Sequence, residues 1–401
     1  MNRMIGRVAG LAIGLSVAIS VQAESLSDAI AKAWSRNPQA AASAAREVEA
    51  QARADVAAGI TPGPPSISLS STNDKLNRDR GWQELEFEMS VPIWVPGQKT
   101  AREAEASAAQ TQVTAQRQAL RLQIAGEVRE AWWAVAAARN ILDLAKRRVA
   151  TAIALESAVL RRYKAGDLAR VDANLAQGER LASEGEQIEA EAALRQAEQV
   201  FLALTGISAP TDLIGETAVP PGDPKDEHPQ LLAVAANTQL AKAKLKVADE
   251  TRRDAPEVAV RVLRARGDVT ESYANVVGVK LTIPFSSGPR VRQENAAARA
   301  ELAQAEAEMA LAQLRMQLDV QKVRLDLETA KHQLATARQR RELAAENLAL
   351  GEKSFALGES DLSTLLRIRA SAFEAEAFLN RQQVVLEASQ SRVNQVLGVI
   401  P

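Results

Sequence analysis

The chain has 401 residues, a formal net charge of −1 at pH 7 and no cysteine. Near-neutrality excludes a typical nucleic-acid-binding protein, which needs a basic excess, and the lack of cysteine excludes disulfides, thiol chemistry, thiolate metal sites and a lipid-bearing cysteine. Aromatic residues make up only 3% of the chain, a composition typical of long helices that pack along narrow seams.

The first residues have the pattern of an export signal. Arg3 and Arg7 precede an apolar run from Leu11 to Val21, and small residues up to Ala23 are typical of a cleavage site. The run is shorter than the roughly 20 apolar residues that a membrane-spanning helix needs. We therefore expect residues 1–23 to be a secretory signal peptide.

The next segment predicts a helix, two strands and two more helices. Leu85, Phe87 and Met89 alternate with glutamates, and this period of two predicts a strand with one apolar and one polar face. Residues 98–162 contain no proline and predict one helix about 100 Å long, at about 1.5 Å per residue. The predicted elements are a helix from Leu26 to Ala58, strands from Ser66 to Ser71 and from Trp82 to Val91, and helices from Gln98 to Arg162 and from Leu168 to Leu204.

A second unit with the same order of elements follows a linker rich in proline and glycine. Leu302, Met309 and Met316 keep seven-residue steps in its long helix, which predicts left-handed supercoiling. The predicted elements are a helix from Gln230 to Arg253, strands from Glu257 to Ala265 and from Ala274 to Ile283, and helices from Arg290 to Phe355 and from Leu362 to Leu397. We divide the chain into the signal peptide, a first repeat at 24–207, the linker at 208–229 and a second repeat at 230–401.

Four landmarks of the first unit return in the second at nearly one offset. Pro92, which ends a strand, returns as Pro284, 192 residues later. A fixed period is the signature of a repeated structural unit, and each unit here is itself an assembly of elements. The pairs are Asn37-Pro38-Gln39 with His228-Pro229-Gln230, Val91-Pro92-Ile93 with Ile283-Pro284-Phe285, Tyr163-Lys164-Ala165-Gly166 with Phe355-Ala356-Leu357-Gly358, and Leu204-Thr205-Gly206 with Val396-Leu397-Gly398.

The four strands indicate how the chain assembles. Their alternation fits either a soluble amphipathic sheet or the wall of a water-filled barrel in lipid. An open sheet in lipid leaves unpaired edges, and the smallest membrane barrels have about eight strands, so one chain cannot close a barrel alone. We expect a mainly α-helical fold with a transmembrane β-barrel part, in which three copies combine a long α-helical coiled-coil barrel with a 12-stranded β-barrel.

The ordered set of motifs from Leu26 to Val399 resembles the TolC family of trimeric outer-membrane efflux ducts. The resemblance rests on the duplicated order, on Pro92 and Pro284, and on two similar tips at residues 162–168 and 355–362. Short barrel loops and the cysteine-free signal also resemble the cobalt-zinc-cadmium efflux branch. The resemblance implies a passive homotrimeric duct in outer-membrane lipid of a Gram-negative bacterium, with its helices in the periplasm. Its implied partners are a periplasmic adaptor (membrane fusion protein) and an inner-membrane RND-type pump.

The resemblance also implies roles for the tips. Glycines reverse the chain in a helical hairpin whatever else the tips do. In the family, the tips also meet the hairpins of the adaptor. The residues that would do so here are Gly166, Asp167, Leu168, Gly358, Glu359, Asp361 and Leu362.

A periplasmic gate near the tips is the second implied site. Asp172 matches the aspartate that links the gate in the family, but Thr364 and Arg367 occupy the positions where the family's gate carboxylates are typical. Asp172 and Arg367 are therefore candidates for an ion-pair lock. The alternative is an exposed pair worth under about 1 kcal/mol.

The polar faces of the strands are the third candidate. Glu84, Glu86 and Glu88 would face the lumen with Lys280, and Arg261 would offset part of their charge. Such rows either bias the passage of cations or simply form the polar wall that any lumen needs.

No motif for catalysis, a cofactor or a metal site is present. The sequence has no nucleophile elbow, phosphate-binding loop, zinc signature or dinucleotide fingerprint, so we expect no enzyme activity and no cofactor. His228 and His332 have no partners at metal-ligand spacing. Two alternatives to the efflux duct stay open, namely an outer-membrane duct for type I protein secretion and a soluble periplasmic coiled-coil scaffold.

Overall fold

The computed structural model describes residues 25–77, 79–217, 219, 227–285 and 288–401. The predicted signal peptide lies outside these ranges, as do residues 218 and 220–226 of the predicted linker. The described elements are α1 (Leu26–Arg36), α2 (Pro38–Ala57), β1 (Ser66–Asn73), β2 (Gln83–Pro92), α3 (Gln98–Ala165), α4 (Arg170–Thr205), α5 (Pro229–Glu250), β3 (Glu257–Arg266), β4 (Ala274–Thr282), α6 (Gly288–Leu357) and α7 (Leu362–Val396). The predicted order of helices and strands is confirmed, with one exception.

The prediction of a single helix from Leu26 to Ala58 was wrong. Asn37 has an extended backbone (φ −71°, ψ 123°), which ends α1 and starts α2. Pro38 disfavours a helical conformation at the residue before it and is well suited to the first position of a helix. The Asn37 side chain accepts hydrogen bonds from the backbone N–H groups of Gln39, at 2.8 Å, and Ala40, at 3.3 Å.

A histidine at the end of the predicted linker has the equivalent place before the second repeat. His228 is extended and buried, and its Nδ1 accepts a hydrogen bond of 3.2 Å from the Gln230 N–H at the start of α5. Burial lowers the pKa of His228, and the Val396 carbonyl opposes this in part. Only a neutral imidazole accepts at Nδ1, and a protonated one would also place positive charge at a helix N-terminus.

Acid is therefore expected to weaken the His228 junction. Because the folded-state pKa is lowered, the stabilisation is complete above the ordinary value of about 6.5 and is lost as pH falls from there through the folded-state pKa. His228→Asn keeps a cap that does not titrate, as Asn37 does. The urea midpoint of wild type should fall more than that of H228N between about pH 7 and pH 5. Equal falls would contradict this assignment.

The helices lie side by side in a fixed order. Near the sheet the contacts give the order α2, α3, α5, α6, and farther along they give α4, α3, α7, α6. α3 has 68 residues and α6 has 70, so each runs about 100 Å. The helices therefore form one layer with two flanks. One flank is α2 near the sheet and α4 farther along, and the other flank is α6 at both levels. None of the described helices has the length and apolar character needed to cross a bilayer.

One antiparallel sheet joins the two repeats. Its order is β1-β2-β3-β4, and β2 pairs with β3 from Gln83↔Arg266 to Pro92↔Glu257. Strands β1 and β4 are the edges of this sheet, so each has a row of backbone groups that no other described strand pairs. The repeats therefore share one sheet, and a single chain leaves it open.

The largest apolar core lies midway along α3. Trp132 and Val128 are fully buried there, and the Trp132 and Phe201 ring centroids are 6.0 Å apart. Side chains from α1, α4, α7 and residues 207–213 pack against this cluster. The core therefore fixes the two repeats and the start of the linker to each other at one level.

Candidate channel wall and helical tips

The strand register separates an apolar face of the sheet from a polar one. Residues paired directly across antiparallel strands share a face, so Leu85, Arg264 and Asn275 lie on one side, and Glu86 and Leu263 lie on the other. The apolar face is well exposed, with Val279 at 76%. Its exposed large apolar side chains are Ile67, Leu69, Leu85, Phe87, Met89, Val260, Val262, Val277, Val279 and Leu281.

Two of the carboxylates on the polar face form ion pairs with cations of the neighbouring strands. Arg261 lies 3.6 Å from Glu86, and Lys280 lies 3.3 Å from Glu88. Glu84 is opposite Ala265 and has no ion pair within the described part of the chain. The predicted lumen residues are thus brought onto one face, but two of the three glutamates are neutralised there. Their role in the lumen stays a prediction.

The first tip, between α3 and α4, is a glycine-capped reversal. Gly166 has φ +85°, and a Cβ built on it would meet no atom within 4 Å. Glycine is therefore required by the left-handed backbone and not by lack of space. The Asp167 N–H donates to the Arg162 carbonyl at 2.9 Å and the Gly166 N–H to the Tyr163 carbonyl at 3.0 Å, the pattern of a Schellman motif.

The second tip, between α6 and α7, repeats this geometry. Gly358 has φ +80°, and the Glu359 N–H donates to the Ser354 carbonyl at 2.9 Å. The Asp361 carboxylate caps α7 by accepting from the Thr364 N–H at 2.9 Å. Similar turns at matching positions leave both tips exposed at the same end of the helices.

Two of the predicted docking residues support the tips from inside. Leu362 is 1% exposed, and Leu168 is half-buried. Both belong to an apolar cluster that also contains Leu155, Val159 and Phe355. The polar tip residues and glycines are exposed, namely Gly166, Asp167, Gly358, Glu359 and Asp361. Only this second group presents a surface to a partner.

The predicted gate residues lie close to the tips but do not form the expected lock within one chain. The Asp172 carboxylate accepts a hydrogen bond of 3.1 Å from the Ala169 N–H and so caps α4. This cap explains why α4 begins at Arg170 and not at Leu168. Thr364 lies in the first turn of α7, and Arg367 is exposed. Among the described contacts, no ion pair joins Asp172 to Arg367.

Two other arginines connect the first hairpin (α3 and α4) with the second hairpin (α6 and α7), and the sequence did not single them out. Arg162 of α3 donates to the Phe355 carbonyl at 3.2 Å, and its guanidinium carbon is 5.0 Å from the Phe355 ring centroid. Arg369 of α7 donates to Glu352 at 2.6 Å and to the Thr151 carbonyl of α3 at 3.3 Å. Arg162 lies beside the tip motif, which is a signal that sequence reasoning could have used. Arg369 has no such local signal.

No candidate metal site is found in the ranges that the structure describes. There, no group of three or more His, Cys, Asp and Glu side chains is arranged to hold a metal ion. His228 caps α5, and His332 is exposed on α6.

The second half of the chain matches a known family. A family model described as "Outer membrane efflux protein" matches residues 222–399. The cobalt-zinc-cadmium resistance protein CzcC of Cupriavidus metallidurans is 26% identical over 250 residues, which are 60% of this chain and 59% of that protein. The match thus spans less than two thirds of that relative's length.

Solved structures extend the likeness to nearly the whole chain. The outer membrane protein VceC of Vibrio cholerae superposes with a TM-score of 0.79 at 16% identity, covering 94% of this chain and 97% of VceC. The outer membrane channel CmeC of Campylobacter jejuni superposes with a TM-score of 0.77 at 13% identity, covering 99% of this chain and 94% of CmeC. At these identities the likeness concerns the fold, which agrees with the predicted duplicated architecture. The comparisons thus match residues 222–399 to the outer membrane efflux protein family, and they show that nearly the whole chain has the fold of these outer membrane proteins.

Proposed function

We propose that this chain is one subunit of a passive exit duct through which a tripartite efflux system moves small molecules or metal ions across the periplasm and outer membrane. The observation that carries this is the sheet, which has a broad exposed apolar face, a polar face and two open edges. A contiguous apolar face of this size is unusual on a water-soluble surface and suits contact with lipid acyl chains.

The open edges and flanks support assembly with copies of the same chain. The α6 flank carries Leu343, Leu350 and Leu357, which are exposed and seven residues apart. The α4 flank carries Leu181 and Ile188, also exposed and seven apart. A contact between two different flanks is heterologous, and it closes into a ring when the rotation permits. Three copies would supply twelve strands, enough for a water-filled barrel.

The exposed tips are the part that we assign to partners. Gly166, Asp167, Gly358, Glu359 and Asp361 form a polar surface at the end farthest from the sheet, where a periplasmic adaptor would dock and link the duct to an RND-type pump. We assign the gate to the same region, with Asp172, Thr364 and Arg367 near its rim. Transport through such a duct needs no covalent chemistry by this chain, so we propose no enzyme activity.

The name of the relative supports metal ions as cargo. CzcC is called a cobalt-zinc-cadmium resistance protein. On the polar face of the sheet, Glu84 and Glu257 have no ion pair in the described structure, which leaves a negative bias that suits cations. In a deletion strain, lost resistance to these metals would favour this cargo, whereas a lost secreted protein would favour the protein-secretion alternative.

A matched pair of substitutions tests whether the sheet lies in lipid. Val277 and Val276 are neighbours on β4, but Val277 pairs with Val262 on the apolar face, whereas Val276 pairs with Leu263 on the polar face. Arginine on a lipid-facing strand costs about 2–4 kcal/mol near the bilayer midplane. We expect Val277→Arg to reduce heat-stable trimers in outer-membrane fractions strongly and Val276→Arg to leave them nearly unchanged.

The same experiment separates the duct from a soluble periplasmic scaffold. A soluble sheet exposes both faces to water, so both variants would be tolerated, and the protein would be released as a monomer by osmotic shock. Equal tolerance together with such release would overturn the proposed function. Equal failure of both variants would also count against an assignment of lipid to one face only.

A further inference from the structure

Two arginines stand apart on the apolar face of the sheet. Among the residues of the four strands, Arg264 and Arg266 are the only charged ones on this face, and both lie at the end of β3 that is farthest from the helices. Within the described strands the remaining charges, including those of Glu86 and Arg261, lie on the polar face. A pair of like charges at the border of a broad apolar surface needs an explanation beyond solubility.

Both guanidinium groups lie against the same aromatic ring. The guanidinium carbon of Arg264 is 4.5 Å from the Tyr273 ring centroid, and that of Arg266 is 4.9 Å from it. The Tyr273 hydroxyl donates a hydrogen bond of 2.8 Å to the Gln83 side chain, which fixes the ring. Arg266 Nε donates to the Gly81 carbonyl at 3.0 Å. The ring therefore offsets the repulsion between the two cations in a defined arrangement.

The guanidinium groups keep most of their donors unused. Neither Arg264 nor Arg266 forms an ion pair with a carboxylate of the described residues. The carboxylates of the adjoining loop accept from backbone instead: Asp268 from the Thr270 N–H at 2.7 Å, and Glu271 from the Gly267 N–H at 2.9 Å. Paired guanidinium forks with free donors match the oxygens of a phosphate group.

The apolar side chains beside the two arginines indicate whether the phosphate belongs to a lipid or is free. Leu85 pairs with Arg264 in the register, and Val262 and Val277 pair with each other one step farther from the loop. Arginine at the rim of a lipid-facing band costs little, and aromatic side chains favour the same level of a membrane. Free phosphate would use only the arginines, whereas a lipid would use the apolar side chains as well.

We propose that Arg264, Tyr273 and Arg266 form a site for the phosphate of an anionic lipid headgroup in the outer leaflet, with the acyl chains along the apolar face below it. The site rests on the proposed function, because it places the loop end of the sheet at the outer surface of the membrane. It would anchor each subunit at a fixed depth, with one lipid per chain.

Lipid counting by native mass spectrometry tests this site. The protein, purified in neutral detergent, is titrated with lipid A, a glycolipid that bears phosphates, and separately with phosphatidylcholine. Wild type should retain lipid A in preference to phosphatidylcholine. The double variant Arg264→Gln with Arg266→Gln should bind lipid A with an affinity reduced about tenfold or more, because charge-assisted hydrogen bonds are lost. Arg261→Gln removes a cation from the same strand but from the polar face, so it should bind as wild type does.

Three results would overturn the proposal: unchanged lipid A binding in the double variant, an equal loss in R261Q, or complete displacement of the lipid by excess inorganic phosphate. Conductance in phosphatidylcholine bilayers, measured on the same samples, keeps the two hypotheses apart. Normal conductance without a lipid A preference rejects only the lipid site. The absence of conductance in wild type and in every variant rejects the proposed function as well.

Discussion

We expect Arg129→Met to lower the free energy of unfolding by about 3–5 kcal/mol, the usual cost of removing one partner of a buried ion pair. The Arg129 and Glu216 side chains are only 4% and 8% exposed. Arg129 donates to Glu216 through Nε at 2.9 Å and through Nη2 at 2.7 Å. Methionine would leave the Glu216 carboxylate buried with no cation beside it.

The pair also closes a junction between distant parts of the chain. Arg129 of α3 donates to the Val399 carbonyl at 2.9 Å and to the Gln395 side chain of α7. Glu216 lies in the linker and accepts from the Ser391 hydroxyl. One guanidinium therefore holds the linker, the second hairpin and the C-terminal residues on α3. Lysine cannot replace it, because a single ammonium does not reproduce the planar fork.

Two further variants make the expectation about Arg129 specific. Arg53→Met breaks an exposed pair with Glu49 on α2, whose side chains are 69% and 58% exposed, and should cost less than about 0.5 kcal/mol. The double variant Arg129→Met with Glu216→Met should recover part of the loss, because no unpaired charge remains buried. The measurement is the urea midpoint at constant m-value. Similar midpoints for R129M and R53M would contradict the role given to Arg129.

The elements that sequence predicted well are those with a local periodic signal. Alternation at Leu85, Phe87 and Met89 predicted both the strand and its apolar face, because successive side chains of a strand point to opposite sides. Tip glycines were predictable for the same reason, since a left-handed helix cap strongly favours glycine. The break at Asn37 was also encoded locally, by Pro38, but the continuous alanine-rich pattern around it favoured a single helix.

Side-chain contacts between residues that are far apart in the chain could not be predicted from the sequence. Arg129 and Glu216 are 87 residues apart, and nothing near either residue marks it as buried. Arg162 and Arg369 likewise acquire their roles only when the two hairpins lie side by side. Asp172 shows the converse, because its local role as a helix cap competes with the long-range ion pair that the resemblance implied. A charged residue on a long helix is usually solvated, so its exceptions emerge only from the packed structure.

We expect Arg162→Ala with Arg369→Ala to shift the duct towards an open state. Arg162 joins α3 to the end of α6, and Arg369 joins α7 to both α6 and α3. These contacts hold the two hairpins of one chain together near the tips, where we place the gate. Widening the gate therefore requires the hairpins to separate and these contacts to break. Removing about 1.4 kcal/mol of this stabilisation would raise the open-to-closed ratio roughly tenfold. Single-channel recording in planar bilayers measures this ratio.

Arg340→Ala provides the matched control for this double variant. Arg340 pairs with Glu374 at 2.8 Å and lies over the Phe378 ring, so it connects α6 with α7 inside one hairpin. The same truncation there removes an ion pair and a cation–π contact but no link between hairpins, and the open-to-closed ratio should stay at the wild-type value. If R340A opens the duct as far as R162A/R369A does, loosening of α6 against α7 controls the gate, and the contacts between hairpins do not. If neither variant changes the ratio while both keep the trimer intact, the constriction lies away from the tips, and Asp172, Thr364 and Arg367 lose their assignment with it.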